Sequence, residues 1–440
     1  MTDEPVRDRD EEPRPGVSRR FVLGATGIGA AAAGLSAVGG FLAGQNAAQG
    51  AASHSTGSHE YLGPHQSGIL TTQQNSLHFA AYDLITTARA DVVALLRIWS
   101  AAAATLMAGR DLGRGLAGGS YSAPPDDTGE AHDLPPSNLT ITIGFGRSLF
   151  EKNGVDRYGL RDRMPEQLIE LPHFPGDALE EQRVGGDLFV QACADNPQVA
   201  SHAIRNLSRL AIGTAAVRWD QQGFGRTSST TRDQSTPRNL MGFKDGTNNV
   251  RAEDTPILDE EVWAHANDGE AWMAGGSYLV ARRILILTHL WDRTTLGDQE
   301  RLVGRTKASG APLSGGSEFT TLDFDRRGDA GVPLIPHDSH VAIAHPSRTG
   351  HQLLRRSYNF TDGFDEQGHL NAGLFFLAFM RDAATQFVPL QTTMSRSDGM
   401  TVKFLRSTGS ALFAVPPGLP ADSRLSPDDG DYLGSGLFEG

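Results

Sequence analysis

Cysteine is all but absent from this chain of 440 residues, Cys193 being the single one. One thiol supports neither a disulfide framework nor a thiolate cluster, so iron–sulfur and structural zinc sites are excluded. Cys193 lies in the run LFVQACADN, which reads as helical and makes it a small buried apolar side chain rather than a nucleophile. An excess of basic charge is also lacking. With 39 Lys and Arg against 52 Asp and Glu, the net charge of -13 argues against a nucleic-acid binder. Blocks of like charge are missing after residue 20. With 39% apolar and 21% charged residues, the chain reads as soluble and globular, long enough for two domains.

What stands at the N-terminus is Ser18-Arg19-Arg20-Phe21-Val22-Leu23, followed by an uncharged run rich in Ala and Gly. Such a run is too poor in Leu, Ile, Val and Phe for a stable membrane span, and none is expected in the mature form. The pattern is that of a twin-arginine signal. Residues 1–50 are therefore expected to be a signal peptide and linker read by the twin-arginine export machinery. The destination is outside the cytoplasm: secreted, periplasmic or cell-wall associated. That route carries folded proteins, often with a cofactor already inserted.

The chemistry is expected in residues 338–360, DSHVAIAHPSRTGHQLLRRSYNF, which place imidazoles and guanidiniums beside two apolar runs. HVAIA from His340 and QLLRRSYNF from Gln352 read as two strands of a hairpin joined by a Pro/Ser/Thr/Gly turn. An imidazole from a buried strand can serve as an axial ligand of haem iron, and a fixed guanidinium stabilises developing negative charge. His345 is the rival ligand. Five residues along a strand it would face away from His340. His337, in a Pro-His-Asp turn, is a weaker rival.

Around this stretch, apolar periodicity predicts a strand and then a helix after His65, a strand turning into a helix or loop in NLTITIGFGRSLFEK, a strand running into a helix in GGDLFVQACADNPQVASHAIRNLSRL and a strand in IGTAAVRWDQQGFGR. The second half repeats the grammar: a strand in GGSYLVARRILILTHLWDR, a helix over 295–306, and strands over 374–381 and 411–415. Between the halves lies NLMGFKDGTNN, residues 239–249. Gly242 and Gly246 there would let the backbone approach a planar ligand closely, beside the carboxylate of Asp245.

These motifs carry a resemblance. GFKDGTNN at 242–249, His340 in DSHVAIAHP, LRRSYNF at 354–360 and FFLAFMRD at 375–382 resemble the dye-decolourising peroxidases, in particular their twin-arginine-exported bacterial branch. The likeness runs from HQSGI at 65 to TGSALFAVPPG at 408. It implies an α+β fold of two ferredoxin-like modules, each an antiparallel β-sheet with peripheral helices, over residues 60–235 and 236–430. It also implies one haem b per chain, held mainly by the second module, and an enzyme that consumes hydrogen peroxide and small aromatic reductants.

Residue by residue, the resemblance makes His340 the iron ligand, Asp245 the acid–base residue on the other side of the haem, and Arg355 the arginine beside it. Gly246, Thr247, Asn248, His345, Pro346 and Ser347 match segments that line the haem, as does Arg355. Alternation along a strand lets only one of Arg355 and Arg356 reach the pocket, leaving Arg356 to a haem propionate or solvent. The partner of the ligand's second nitrogen is Asp398 or Asp382. Relatives often carry a further acid where this chain has Val402. The alternatives are an exported haem protein acting mainly in iron handling and a non-catalytic haem binder. Trp272, Trp291, Tyr278 and Tyr358 are candidate stations for electron transfer.

Overall fold

The computed structural model describes residues 57–118 and 120–439. The expected signal segment, residues 1–50, lies outside them. The elements follow the alternation of apolar residues. In the first half these are β1 (Ser76–Leu84), helix α1 (Arg89–Met107), β2 (Thr140–Gly146), β3 (Leu188–Ala194), α2 (Pro197–Leu210) and β4 (Ala215–Arg226). In the second they are β5 (Ser277–Ile286), α3 (Leu296–Val303), α4 (His340–Ile343), α5 (Pro346–Thr349), β6 (Leu354–Arg355), β7 (Tyr358–Phe364), β8 (Leu370–Met380), α6 (Phe387–Ser397), α7 (Gly399–Phe404) and β9 (Leu405–Val415).

Every ladder among these strands is antiparallel, and the two halves share one order. β1–β4 run β2-β3-β1-β4, and the later strands run β9-β5-β8-β7, so the first strand of each half sits between the fourth and the third. That is the ferredoxin-like arrangement, found twice. The halves join edge to edge where β2 meets β9 and β4 meets β7, which closes the strands into a ring. Closure leaves each strand with an inner and an outer face, and the side chains alternate accordingly.

Inner-face residues Phe79, Phe189, Phe375 and Phe413 meet in the lumen, with ring centroids 5.1 Å apart for Phe79 and Phe189 and 4.7 Å for Phe189 and Phe413. Gly144 on β2 makes room for them, since a Cβ there would meet the Phe189 ring at 2.4 Å. The barrel interior is a packed core. Outer-face residues such as Tyr82, Ile143 and Val190 pack under α1 and α2. β2 and β3 are buried throughout, and β3, LFVQACA, accordingly shows no apolar–polar alternation. Cys193 belongs to β3, not to a helix; it is buried in the lumen, and burial pushes its thiol pKa up.

Helix α1 is long and apolar enough to cross a membrane by composition, but its Val92, Leu95, Leu96, Trp99 and Ala103 are buried and Trp99 Nε1 donates to the Leu207 carbonyl of α2 at 2.9 Å. It is a core helix. α2 starts cleanly because Asn196 accepts from the Gln198 N–H and Pro197 occupies the first turn.

Candidate active site

His340 does not start a strand. It opens the single helical turn α4, initiated where the Ser339 carbonyl accepts from the Ala342 and Ile343 N–H groups, both at 3.0 Å. Burial of Ala342 and Ile343 overrides the β preference of Val341 and Ile343. The expected hairpin is absent as well. After α4, His345 adopts the extended backbone that a following proline favours, and Pro346 begins α5. The run after Gln352 pairs with β8 instead.

That pairing settles the two arginines. Arg355 lies opposite Ala378 and Tyr358 opposite Phe375, so the register runs unbroken from β6 into β7. Consecutive side chains therefore face opposite ways. Arg355 points towards the segment 239–249, while Arg356 is fully buried, its guanidinium donating to the Thr71 carbonyl and to Gln74 Oε1. The expectation of a propionate or solvent partner for Arg356 is thus corrected. It ties the strand to the loop before β1.

Two pairs of side chains form the site. In the first, His340 Nδ1 lies 2.7 Å from Asp398 Oδ2. Asp398 is wholly buried at the junction of α6 and α7, where it accepts from the Met400 N–H at 2.9 Å and the Thr401 hydroxyl at 2.6 Å. Burial alone would raise the Asp398 pKa, but the His340 imidazole, Thr401 and the Met400 amide more than offset it and hold the carboxyl below its ordinary value. An ionised carboxylate only accepts, so His340 Nδ1 carries a proton, and in the neutral ring Nε2 has the free lone pair. Burial lowers the His340 pKa and Asp398 more than compensates, leaving the imidazole above its ordinary value. Asp382 takes no part, since it caps Ala384 and Thr385.

In the second pair, Arg355 Nη1 donates to Asp245 Oδ1 at 2.7 Å, and the other carboxylate oxygen accepts from Asn239 Nδ2 at 3.1 Å. The charges of both Asp245 and Arg355 bear on His340, so the two pairs lie near one another. A satellite core of Met241, Phe243, Trp291, Leu302, Val303, Met400 and Phe404 sets the segment 239–249 against α3 and α7, and Trp291 Nε1 donates to the Met241 carbonyl at 3.1 Å.

Gly246 is needed where it stands: its φ is 91°, and a Cβ would come within 2.9 Å of Ser228 Cα. The Thr247 hydroxyl donates to Glu318 at 3.3 Å, and Asn248 is exposed. His345 caps α5, its Nδ1 accepting from the Ser347 N–H at 3.2 Å. Burial, with Arg305 and Arg348 nearby, lowers its pKa. Pro346 and the exposed Ser347 lie in α5. Helix geometry and this cap, rather than strand alternation, separate His345 from His340.

Two residues central to the site were not assigned a role from sequence. Asn249 bonds the main chain of Arg355, and Glu318 forms an ion pair with Lys244 as well as receiving Thr247. Asn249 at least lies in the GFKDGTNN motif. Glu318 has no local signal. Trp272, Trp291, Tyr278 and Tyr358 are all buried among core residues.

The donor set favours one kind of cofactor. Among the described residues no group of three or more His, Cys, Asp or Glu side chains is placed to hold a bare ion. A single imidazole with a free Nε2, facing a carboxylate and a guanidinium, suits a metal that brings its own equatorial ligands, as haem does.

The family model described as Dyp-type peroxidase, N-terminal, matches residues 66–225, and the one described as Dyp-type peroxidase, C-terminal, matches residues 236–420. The chain belongs to the Dyp-type peroxidases. It is 37% identical over 386 residues to a dye-decolorizing peroxidase of Thermobifida fusca, covering 85% of this chain and 84% of that protein. To a deferrochelatase of Yersinia pestis it is 32% identical, with 86% and 84% covered. Among solved structures, ferric DtpA from Streptomyces lividans superposes with a TM-score of 0.78 at 38% identity, covering 89% of this chain and 99% of that one. As a Dyp-type peroxidase this protein is an oxidoreductase whose cofactor is haem, and the His340 and Asp245–Arg355 pairs fit that cofactor.

Proposed function

We propose that this peroxidase uses hydrogen peroxide to oxidise small aromatic or dye-like reductants outside the cytoplasm, with His340 as iron ligand, Asp245 as proton relay and Arg355 as a fixed positive charge. The observation that carries the reading is the Asp245–Arg355 contact at 2.7 Å, on a site it shares with an imidazole whose Nδ1 is already committed to Asp398. Haem, when bound, supplies the redox chemistry that stores the oxidising equivalents of peroxide. Everything else falls to side chains.

His340 would hold the metal through Nε2, and the ionised Asp398 would make that nitrogen a stronger donor. Cleavage of HOOH with departure of water requires a proton to move from one oxygen to the other. Asp245, ionised, can accept it and hand it on. Arg355 offsets the negative charge growing on the departing oxygen. Among the described residues its side chain is bonded only through Nη1, so its other N–H groups can turn to the peroxide.

The site's location rests on the segment Ser18-Arg19-Arg20-Phe21. Changing Arg19 and Arg20 together to Lys should leave the protein in the cytoplasm; cell fractionation showing normal export of the double variant would remove that argument. For the activity, the test is the absorption spectrum of the purified haem-loaded protein on adding peroxide. The Soret band should change and then return when an aromatic reductant follows.

A second reading, iron handling, is favoured by the relatives named deferrochelatase at 32% and 33% identity. It predicts iron release from haem without consumption of peroxide.

A further inference from the structure

We propose that Asn249 is a positioning residue for peroxide cleavage: its carboxamide takes the place of a neighbouring strand and fixes Arg355 against Asp245. This rests on the reading of Arg355 as the fixed charge of the site and names what holds that charge in place.

On the β8 side it is Arg356, not Arg355, whose main chain enters the ladder, its N–H donating to the Leu377 carbonyl at 2.8 Å. In an antiparallel pair the next residue back turns its N–H and C=O to the opposite edge. Those two groups of Arg355 therefore face away from β8. A further strand would normally meet them, and here Asn249 does. Asn249 Oδ1 accepts from the Arg355 N–H at 2.8 Å, and Asn249 Nδ2 donates to the Arg355 carbonyl at 2.8 Å.

The remaining hydrogen of the amide goes to the Ser229 carbonyl at 3.1 Å, so the side chain, only 6% exposed, has its oxygen and both hydrogens engaged. The same residue closes the turn after Asp245, because its own N–H donates to the Gly246 carbonyl at 3.1 Å. One residue thus grips the arginine's main chain and the aspartate's loop together, and the Arg355–Asp245 ion pair completes a closed circuit.

Few side chains can do this. A carboxylate has the acceptor and no donor, a hydroxyl is a single group where two are needed, and glutamine is longer by a methylene. The functional weight comes from the arginine's length. A guanidinium on a flexible stem is only as well placed as its Cα, and displacements near 1 Å at a reacting centre cost on the order of 100-fold in rate.

The haem-loaded Asn249→Ala protein should keep its haem spectrum and react with peroxide about 10- to 100-fold more slowly, the range typical of residues that orient a functional group. Hydrogen exchange read by mass spectrometry should show faster exchange in the peptide containing Arg355 and unchanged exchange in peptides from β1–β4. In an Arg355→Leu background, adding Asn249→Ala should slow the peroxide reaction no further. Asn249→Asp, which keeps the acceptor for the Arg355 N–H, should fall between the parent and Asn249→Ala; it also carries the test should the alanine protein fail to fold.

Parent-like peroxide rates in the Asn249 variants, or unchanged exchange at Arg355, would overturn the proposal. So would full additivity with Arg355→Leu. If Arg355→Leu itself reacts at the parent rate, the role given to Arg355 fails and the assignment of Asn249 to peroxide cleavage falls with it, whatever the exchange shows of the clamp.

Discussion

The two sides of the site are held by different means. His340 is fixed by one wholly buried carboxylate, itself saturated by a helix N-terminus and a threonine. Asp245 and Arg355 sit on a turn and on the edge of a strand, with side chains 15% and 27% exposed, and are held by neighbours that grip main chain and flanking residues. The first arrangement suits a group that must keep one protonation state. The second leaves a carboxylate whose oxygens, among the described residues, accept only from the Arg355 and Asn239 side chains, which is what proton transfer needs.

The contrast breaks most visibly at His340. His340→Ala should lose stable haem binding, or bind haem in a form that added imidazole restores, as read from the haem stoichiometry and absorption spectrum. Full occupancy with an unchanged spectrum would move the ligand assignment to His345. The other side should behave oppositely. Asp245→Asn should keep haem and react with peroxide about 10²–10⁴-fold more slowly in stopped-flow mixing, the usual contribution of a placed acid–base group. A parent rate in Asp245→Asn beside an inert Arg355→Leu would make the arginine the essential group.

The smallest effect concerns Glu318. Burial works to raise its pKa, and Lys244, by hydrogen bond and by charge, with Thr236 and Thr247, more than offsets this, so the carboxyl titrates below its ordinary value. A depressed carboxyl pKa contributes stability that is complete above the unfolded-state value and disappears as pH falls through the folded-state value. Glu318→Gln should therefore cost on the order of 1 kcal/mol of stability at neutral pH, as for a part-buried charge pair, seen as a lower melting temperature. The difference from the parent should shrink as pH drops below the ordinary glutamate range. A difference that stays constant with pH would show that the Lys244–Glu318 pair does not stabilise the loop.

Strands buried on both faces were legible as largely apolar runs, as in SYLVARRILI, and TITIGFG was legible by its alternation at period two. The separation of Arg355 from Arg356 was legible for the same reason. HVAIA misled because β-branched residues in a four-residue turn carry no helical period, and what makes it helical is burial against α6 and α7, outside the run itself. Cys193 was misplaced by a similar ambiguity, since LFVQACA is apolar without alternation when both faces are covered. Asp398 was one of two candidates because its approach to His340 depends on how α6 ends. The carboxamide bridge from Asn249 and the carboxylate of Glu318 are long-range contacts that no local pattern announces.

The ring of strands also sets an order of events for the chain. Phe145 of β2 pairs with Ala414 of β9, and Tyr278 of β5 has that same Ala414 on one side and Met380 on the other. The seam cannot be sewn until β9 has left the ribosome, and until then β2 waits with an unpaired edge. Contacts so distant in sequence make for slow maturation. The nascent first half is thus the stage at which this protein is most open to mispairing with another copy of itself.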